Sequence, residues 1–443
     1  MTQQKDPSAQ APIMGGQESP HIKDGGIPGR GSVITVVLTA DNHLGYAGVG
    51  QHPRKREERQ QRLRHAFQQA TDFAIVQNVD LFIQAGDLFD TTAPDERDRN
   101  FVAAKLAQLK QAGVRAFALG GVHDTPADAQ SVPGETHPAP LLSYACLGAL
   151  HYFPPVQKLD EQELEAVTFD IRGIRVGICG LGVLTGQDDD CLAHLRVPSE
   201  FEMATLPMLV LHAPIEGLGT DAQFLDTRTQ VSLSSLEKQL TFKYIFAGYH
   251  HNYSRTTIGQ TEVIVAGATQ HVDFSTLDHS PGFVFLGLAA DGVRWCNHIS
   301  VDSFSLQRLV IQAQDFWIDQ DSTSPTDVIL KQLCPICSED TMVQLRLEGE
   351  LTRRAYHQLD LNQIRRYGEE HCFALAIDDS ALFLLPEQET VSTETGERFS
   401  PREEVIALAD EWIAASTDKR EQEALRITKE EVLLAMDEMK SKR

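Results

Sequence analysis

The chain has 443 residues, 42% hydrophobic and 23% charged, with 63 acidic against 39 basic side chains and a formal net charge of −24. This is an ordinary soluble composition, long enough for two or three domains and a large core, and no run reaches the length of a membrane-spanning helix. The acidic balance argues against nucleic-acid binding by charge alone, since nonspecific affinity comes largely from phosphate neutralisation; its plainest role is to keep the chain soluble.

Residues 1–31 are polar and rich in Gly, Pro and Gln. They lack the apolar stretch of a secretory signal and read as a disordered tail, so a cytoplasmic location is the default expectation. From 32 to about 300, short apolar strands alternate with helical stretches. Strands are predicted at 34–38, 81–84, 116–119, 175–179, 208–211, 244–247 and 262–265, and helices at 56–77 and 97–112. That alternation predicts an α/β layered domain.

Several of these strands end in metal-ligand side chains. The first runs into Asp41-Asn42-His43 and the second into Gly86-Asp87-Leu88-Phe89-Asp90; Gly121-Val122-His123-Asp124, His212 and Gly248-Tyr249-His250-His251 follow. Asp and His gathered at strand ends are how an α/β sheet assembles a metal site. Taken singly, Asp41, His43 and Asp87 also suit turns, and His212 suits an apolar core. Between the first two motifs, residues 51–65 concentrate basic side chains. They are either a rim that touches a phosphate backbone or the solvated start of a helix.

The seven cysteines are odd in number and scattered, unlike a secreted disulfide framework. Cys334-Pro-Ile-Cys337 has half the spacing of a zinc knuckle, but no second such pair completes it. His371-Cys372 is the one candidate to do so. Ordinary thiols are the expectation, with an intermolecular zinc bridge or a redox pair as alternatives. From 301 to 385 the pattern changes to strands near 306–311, 342–347 and 372–376 with helices near 324–333 and 355–366, a small α+β unit. Residues 386–400 read as a polar linker. A capping box at Ser400 with Pro401 starts a helix over 401–416, and a second is predicted over 429–441. These two short amphipathic helices have no core of their own, so they pack back on the chain or bind a partner.

The ordered series of strand-end motifs resembles the calcineurin-like metallophosphoesterases, and within them the SbcD-type DNA repair nucleases. The resemblance covers roughly 33–385 and, more weakly, the C-terminal helices. It implies a β-sandwich flanked by helices with the site at strand C-terminal ends, a capping domain at 301–385, and C-terminal helices at 401–443 that bind an SbcC-like ATPase. It implies DNA as substrate, hydrolysis of phosphodiester bonds, and a homodimer. One metal would be held by Asp41, His43, Asp87 and His251. The second would share Asp87 and take His212, but its two other ligand positions are Val122 and Tyr249. Valine has no donor atom, and a phenol is a poor ligand at neutral pH. Mixed carboxylate and imidazole ligands suit Mn²⁺, with Mg²⁺ as the alternative. His123 would assist leaving-group chemistry, and Asp124 would orient its ring.

The damaged second site leaves three readings open: a weakly held second ion, His250 substituting for Tyr249, or a catalytically impaired subunit that binds DNA and the ATPase. Adjacent residues on an extended strand point to opposite sides, which counts against the substitution. A phosphodiesterase for a small substrate is the remaining alternative.

Overall fold

A computed structural model describes residues 33–48, 53–126, 139–155, 163–182, 195–218, 231–272, 280–317, 324–352 and 356–385, with Leu192, Phe274 and scattered residues beyond 404. The tail at 1–31, the linker at 386–400 and the proposed start of the first C-terminal helix lie outside the described residues. The chain divides into two compact units, with the boundary between Leu384 and Leu385.

The strands in chain order are β1 (Ile34–Thr39), β2 (Leu81–Ala85), β3 (Arg115–Leu119), β4 (His151–Phe153), β5 (Ala166–Ile171), β6 (Ile174–Leu181), β7 (Leu206–His212), β8 (Tyr244–Gly248), β9 (Ser254–Ile258), β10 (Thr261–Val265), β11 (Gly282–Ala289), β12 (Gly292–Ser300), β13 (Ser305–Gln312), β14 (Thr341–Thr352) and β15 (Ala374–Leu385). The helices are α1 (Pro53–Val76), α2 (Glu96–Gln111), α3 (Leu142–Cys146), α4 (Leu233–Lys238), α5 (Pro325–Leu333) and α6 (Leu361–His371).

Two six-stranded sheets make the large domain, in the orders β12-β11-β1-β2-β3-β4 and β5-β6-β7-β8-β10-β9. The central strands β1 to β4 run parallel, as do β6, β7, β8 and β10. Antiparallel strands flank them, with β11 on β1 and the hairpin partners β5 and β9 at the edges of the second sheet. Strand alternation divides the core. Ile34, Val36 and Leu38 point into the space between the sheets, where they meet Val176, Met208, Val210 and Phe246. Val37 and Phe82 point the other way, against Phe67 of α1 and Val102 of α2. Leu209, Leu211, Ile245 and Val263 face outward from the second sheet around Leu236 of α4. The layers are therefore helix, sheet, sheet, helix. Central strands buried on both faces read as near-continuous apolar runs, which is why the sequence displayed them.

The third sheet, β13-β14-β15, has its own core with α5 and α6: Ile311, Ile329, Leu333, Leu345 and Ile364. It rests on α1. Arg59 is 3% exposed, its guanidinium 5.3 Å from the rings of Tyr46 and Phe373. Lys55 Nζ donates to the carbonyls of Glu369 and Cys372, and Arg62 pairs with Asp340 while covering the Phe304 ring at 4.2 Å. The sequence left residues 51–65 as a rim for phosphates or a solvated face. In the structure, Lys55, Arg59 and Arg62 are spent holding the third sheet, and Arg56 is exposed. A cleft of about 800 Å³ opens along this seam, beside Tyr46 and Arg54.

The thiol expectation is corrected. Cys337, just past α5, and Cys372, which caps α6, form a disulfide. In the second unit, residues 405, 406, 408–410, 412, 413, 422, 425–429, 432 and 433 are helical, so the last helix begins ahead of the start predicted near 429. Lys429 pairs with Asp410 at 2.7 Å. Among the described residues, no helix is long and apolar enough to cross a membrane.

Candidate metal centre

The ends of β1, β2, β3, β7 and β8 converge at one end of the sandwich. β1 stops at Thr39, and the chain turns sharply, with Asp41 and His43 at φ 47° and 46°. The turn is fastened to the β2 tip by Asp41 N–H to Gly86 O and His43 N–H to Asp87 O, both 3.0 Å. Asp87 itself has φ 52° and Tyr249 has φ 85°. Left-handed backbone at four non-glycine residues costs free energy and persists where the surroundings fix it, most often at functional sites. Gly86 (φ 93°) is required: a Cβ there would lie 2.1 Å from His212 Nδ1. Gly121 is likewise required, since a Cβ would meet Asp87 Oδ1 at 2.2 Å.

Six predicted residues come together. Ligand atoms of Asp41, His43 and His251 lie within 4.8 Å of one another, as do those of Asp41, Asp87 and His212, and those of His43, Asp87 and His123. His43 Nε2 and His251 Nε2 face each other at 3.2 Å. His212 Nε2 is fully buried and makes no aligned hydrogen bond, although Asp87 Oδ2 is 3.2 Å away.

The charges explain what this cluster requires. Burial pushes Asp41 up to about 7. Asp87 is also buried, but the facing His212, with help from His43 and His123, more than reverses this and holds it well below the usual carboxylate range. Burial would lower His212, yet Asp87 and Asp41 raise it to about 9. Two buried carboxylates thus draw protons and imidazolium charge toward themselves. Imidazole nitrogens turned toward one another, with carboxylate oxygens within 4.8 Å of them and a histidine nitrogen without an aligned partner, fit divalent cations with N and O ligands.

The other predicted residues fall differently. Val122 is 52% exposed and contributes nothing. Tyr249 supplies its main chain, its N–H donating to both Asp41 oxygens at 3.1 Å, while its ring stands edge-on to His212 at 5.8 Å. His250 does not replace it. Its Nε2 accepts from Ile215 N–H at 3.0 Å, and burial pushes its pKa down to about 4, so it stays neutral. Asp124 does not serve as the orienting partner of His123. It is completely buried, and its carboxylate accepts from the N–H groups of Gly121, Leu88 and Phe89 at 2.7, 3.0 and 3.3 Å.

The carboxylate beside His123 is Asp90, which sequence reasoning missed. Its Oδ1 is 3.1 Å from His43 Nδ1 and 3.5 Å from His123 Nδ1. This contact turns His43 Nε2 toward the cluster, the usual office of a carboxylate behind a ligating histidine. The signal was present in the sequence, a second Asp three residues after Asp87.

The model of the calcineurin-like phosphoesterase family matches residues 34–253. The chain carries a calcineurin-like metallophosphoesterase domain. It is a metal-dependent phosphoesterase, and the family implies divalent ions at the cluster described. A DNA double-strand break repair protein Mre11 from Thermoplasma acidophilum is 23% identical over 327 residues, 72% of this chain and 78% of that protein. The Mre11 protein of Sulfurisphaera tokodaii is 32% identical over 84 residues, 19% of this chain and 22% of its own. A crystal structure of a dimetal phosphatase from Danio rerio aligns over 61% of this chain and 100% of its own, at 14% identity and a TM-score of 0.36.

Proposed function

We propose that this metallophosphoesterase is a DNA nuclease that hydrolyses phosphodiester bonds at DNA ends, with Mn²⁺ as its preferred ion. The observation that carries the reading is the convergence of Asp41, His43, Asp87, His123, His212 and His251 on one cluster. The substrate class is supported by relatives named as DNA double-strand break repair proteins. Asp41, His43, Asp87 and His251 would hold one ion, and Asp87 with His212 a second. When bound, divalent ions supply Lewis acidity to phosphoryl oxygens and acidify a water for attack.

The chain's own residues do the rest. Asp87 is shared between the two ligand groups, and the His123 N–H fixes its Oδ1 at 2.8 Å. His123 is half-exposed at the rim, with Nδ1 toward Asp90, which leaves Nε2 free to hand a proton to a leaving oxygen. The 301–385 unit, docked on α1 through Lys55, Arg59 and Arg62, would be the capping domain. Residues 401–443 would bind an SbcC-like ATPase, and a homodimer belongs to the same reading.

A second reading has a specific observation behind it. Exposed Val122 and Tyr249, whose phenol is a poor ligand, leave the second ion fewer protein ligands, as in an impaired binding subunit. Mn²⁺-dependent cleavage of linear duplex DNA, with Asp87→Ala as control, decides between them. Cleavage lost in the variant supports the nuclease. No cleavage, even with the ATPase added, supports the binding subunit. Deleting 401–443 should abolish association with the ATPase and leave metal binding intact.

A further inference from the structure

Three cysteines and a histidine meet at the seam between α5 and α6, far in sequence from the metal cluster. α5 runs out in a helical turn, with Cys334 N–H donating to Leu330 O at 3.0 Å and Cys337 N–H to Leu333 O at 3.1 Å. Cys334 and Cys337 are thus three residues apart on a helical turn, a spacing that puts both on one face. Cys337 is bonded to Cys372, the residue that caps α6, with the two Cα atoms 4.8 Å apart, an ordinary separation for a bridge. Cys334 keeps a free thiol. It is exposed and contacts the Tyr367 hydroxyl of α6, whose ring stacks on His371 at 4.1 Å. Cys372 is 2% exposed. An accessible thiol therefore lies beside a disulfide whose far sulfur is covered. Among the described residues the other free thiols differ: Cys179 is buried and pushed up to about 12, and Cys146 and Cys296 lie on separate elements.

We propose that Cys334, Cys337 and Cys372 form a thiol–disulfide exchange site. The Cys334 thiolate attacks Sγ of Cys337. A Cys334–Cys337 bond forms, the Cys337–Cys372 bond breaks, and Cys372 leaves with the electron pair and takes up the proton that Cys334 gave up. This step is redox-neutral. Making the first disulfide from two thiols requires a two-electron acceptor such as glutathione disulfide, and returning to three thiols requires a dithiol donor. The position gives the exchange a consequence. The Cys372 carbonyl accepts from Lys55, and the Phe373 ring lies 3.8 Å from Phe304 and 5.3 Å from the Arg59 guanidinium. The bond to Cys372 therefore anchors the segment by which α1 grips the third sheet.

The test is thiol mapping on the full chain, equilibrated in glutathione redox buffers, then denatured and alkylated with N-ethylmaleimide. Cys334 and Cys337 share the tryptic peptide 332–346, and Cys372 lies in 367–398. Oxidised wild type should link the two peptides and lose two of the seven alkylation sites. In Cys372→Ala, peptide 332–346 should carry an internal disulfide. In Cys334→Ser the Cys337–Cys372 bond should still form, but its reduction by a monothiol should slow by about tenfold or more, because the neighbouring thiol no longer attacks. Full alkylation of oxidised wild type, no internal disulfide in Cys372→Ala, or an unchanged reduction rate in Cys334→Ser would each overturn the proposal.

Discussion

Asp124 is the residue whose removal tests the site's construction most directly. It has no solvent exposure, and its carboxylate accepts three main-chain N–H groups, from Gly121 on its own loop and from Leu88 and Phe89 on the β2 loop. Those loops carry His123 and Asp87. Asp124→Ala leaves three buried donors without acceptors, each costing about 1–3 kcal/mol. Relaxation and water entry recover part of this, so a total of about 3–5 kcal/mol is expected. Asp124→Asn keeps one carbonyl oxygen for Leu88 and Phe89 but turns an amide toward the Gly121 N–H, and should cost about 1–3 kcal/mol. Burial, reinforced by the Asp87 charge, outweighs the three donors and raises Asp124 to about 7. A raised folded value means that the stability it contributes is fully present below about 4 and is lost as the pH rises through about 7. The difference between wild type and Asp124→Asn should therefore narrow from pH 5 to pH 8. Urea unfolding in a chelator gives the global cost, and hydrogen exchange at the Gly121, Leu88 and Phe89 amides gives the local one. A loss of less than about 1 kcal/mol in the alanine variant, or equal costs for Asn and Ala, would show that the three N–H groups do not depend on this carboxylate.

Divalent metal must expel the protons that His212, raised to about 9, and Asp41, raised to about 7, hold without it. Affinity should rise with pH by about tenfold per unit for each proton displaced, and calorimetry at pH 6 in two buffers of different ionisation enthalpy should report proton release. Asp90→Asn removes the charge behind His43 Nδ1 and should weaken metal binding by about 10–100-fold; unchanged binding would remove Asp90 from the site. Asp80 ties Thr35 to Arg172; burial pushes its pKa up, but Arg172 and Thr35 reverse this and leave it lowered. Its stabilisation is present above the ordinary 3.8 and is lost as pH falls through the depressed folded value, so Asp80→Ala should cost about 1–3 kcal/mol at pH 7 and flatten the acid limb of the stability profile.

The strand-end ligands were legible because chemistry and local structure coincide there. An apolar run that stops at Asp41, Asp87 or His212 is both a buried parallel strand and a candidate ligand placed at its tip. Pairings that bring distant segments together were not legible. The β11–β12 hairpin that extends the first sheet joins β1 antiparallel from about 250 residues away, and nothing local in 282–300 specifies that partner. The role of the basic run at 51–65 was not legible for a related reason. Composition reports charge, but not whether a partner such as Asp340 or the Cys372 carbonyl waits across a domain seam. Asp124 and Asp90 exchanged roles because sequence adjacency suggested that Asp124 serves His123. The turn after β3 instead buries Asp124 under its own backbone, and the carboxylate three residues beyond Asp87 reaches the ring.

A ligand position is defined by more than its side chain, and Tyr249 shows the difference. Its phenol is the wrong donor, yet its strained backbone, at φ 85°, aims an N–H at both oxygens of Asp41. That N–H orients a carboxylate which reaches both the His43–His251 group and the Asp87–His212 group. Asp41 therefore stands where it can compensate for part of what Val122 and Tyr249 no longer supply. If it does, Asp41→Asn should abolish binding of both ions, whereas His251→Ala should weaken the first and spare the second. Metal titrations in which Asp41→Asn loses the first ion but keeps the second would return Asp41 to a single-site role.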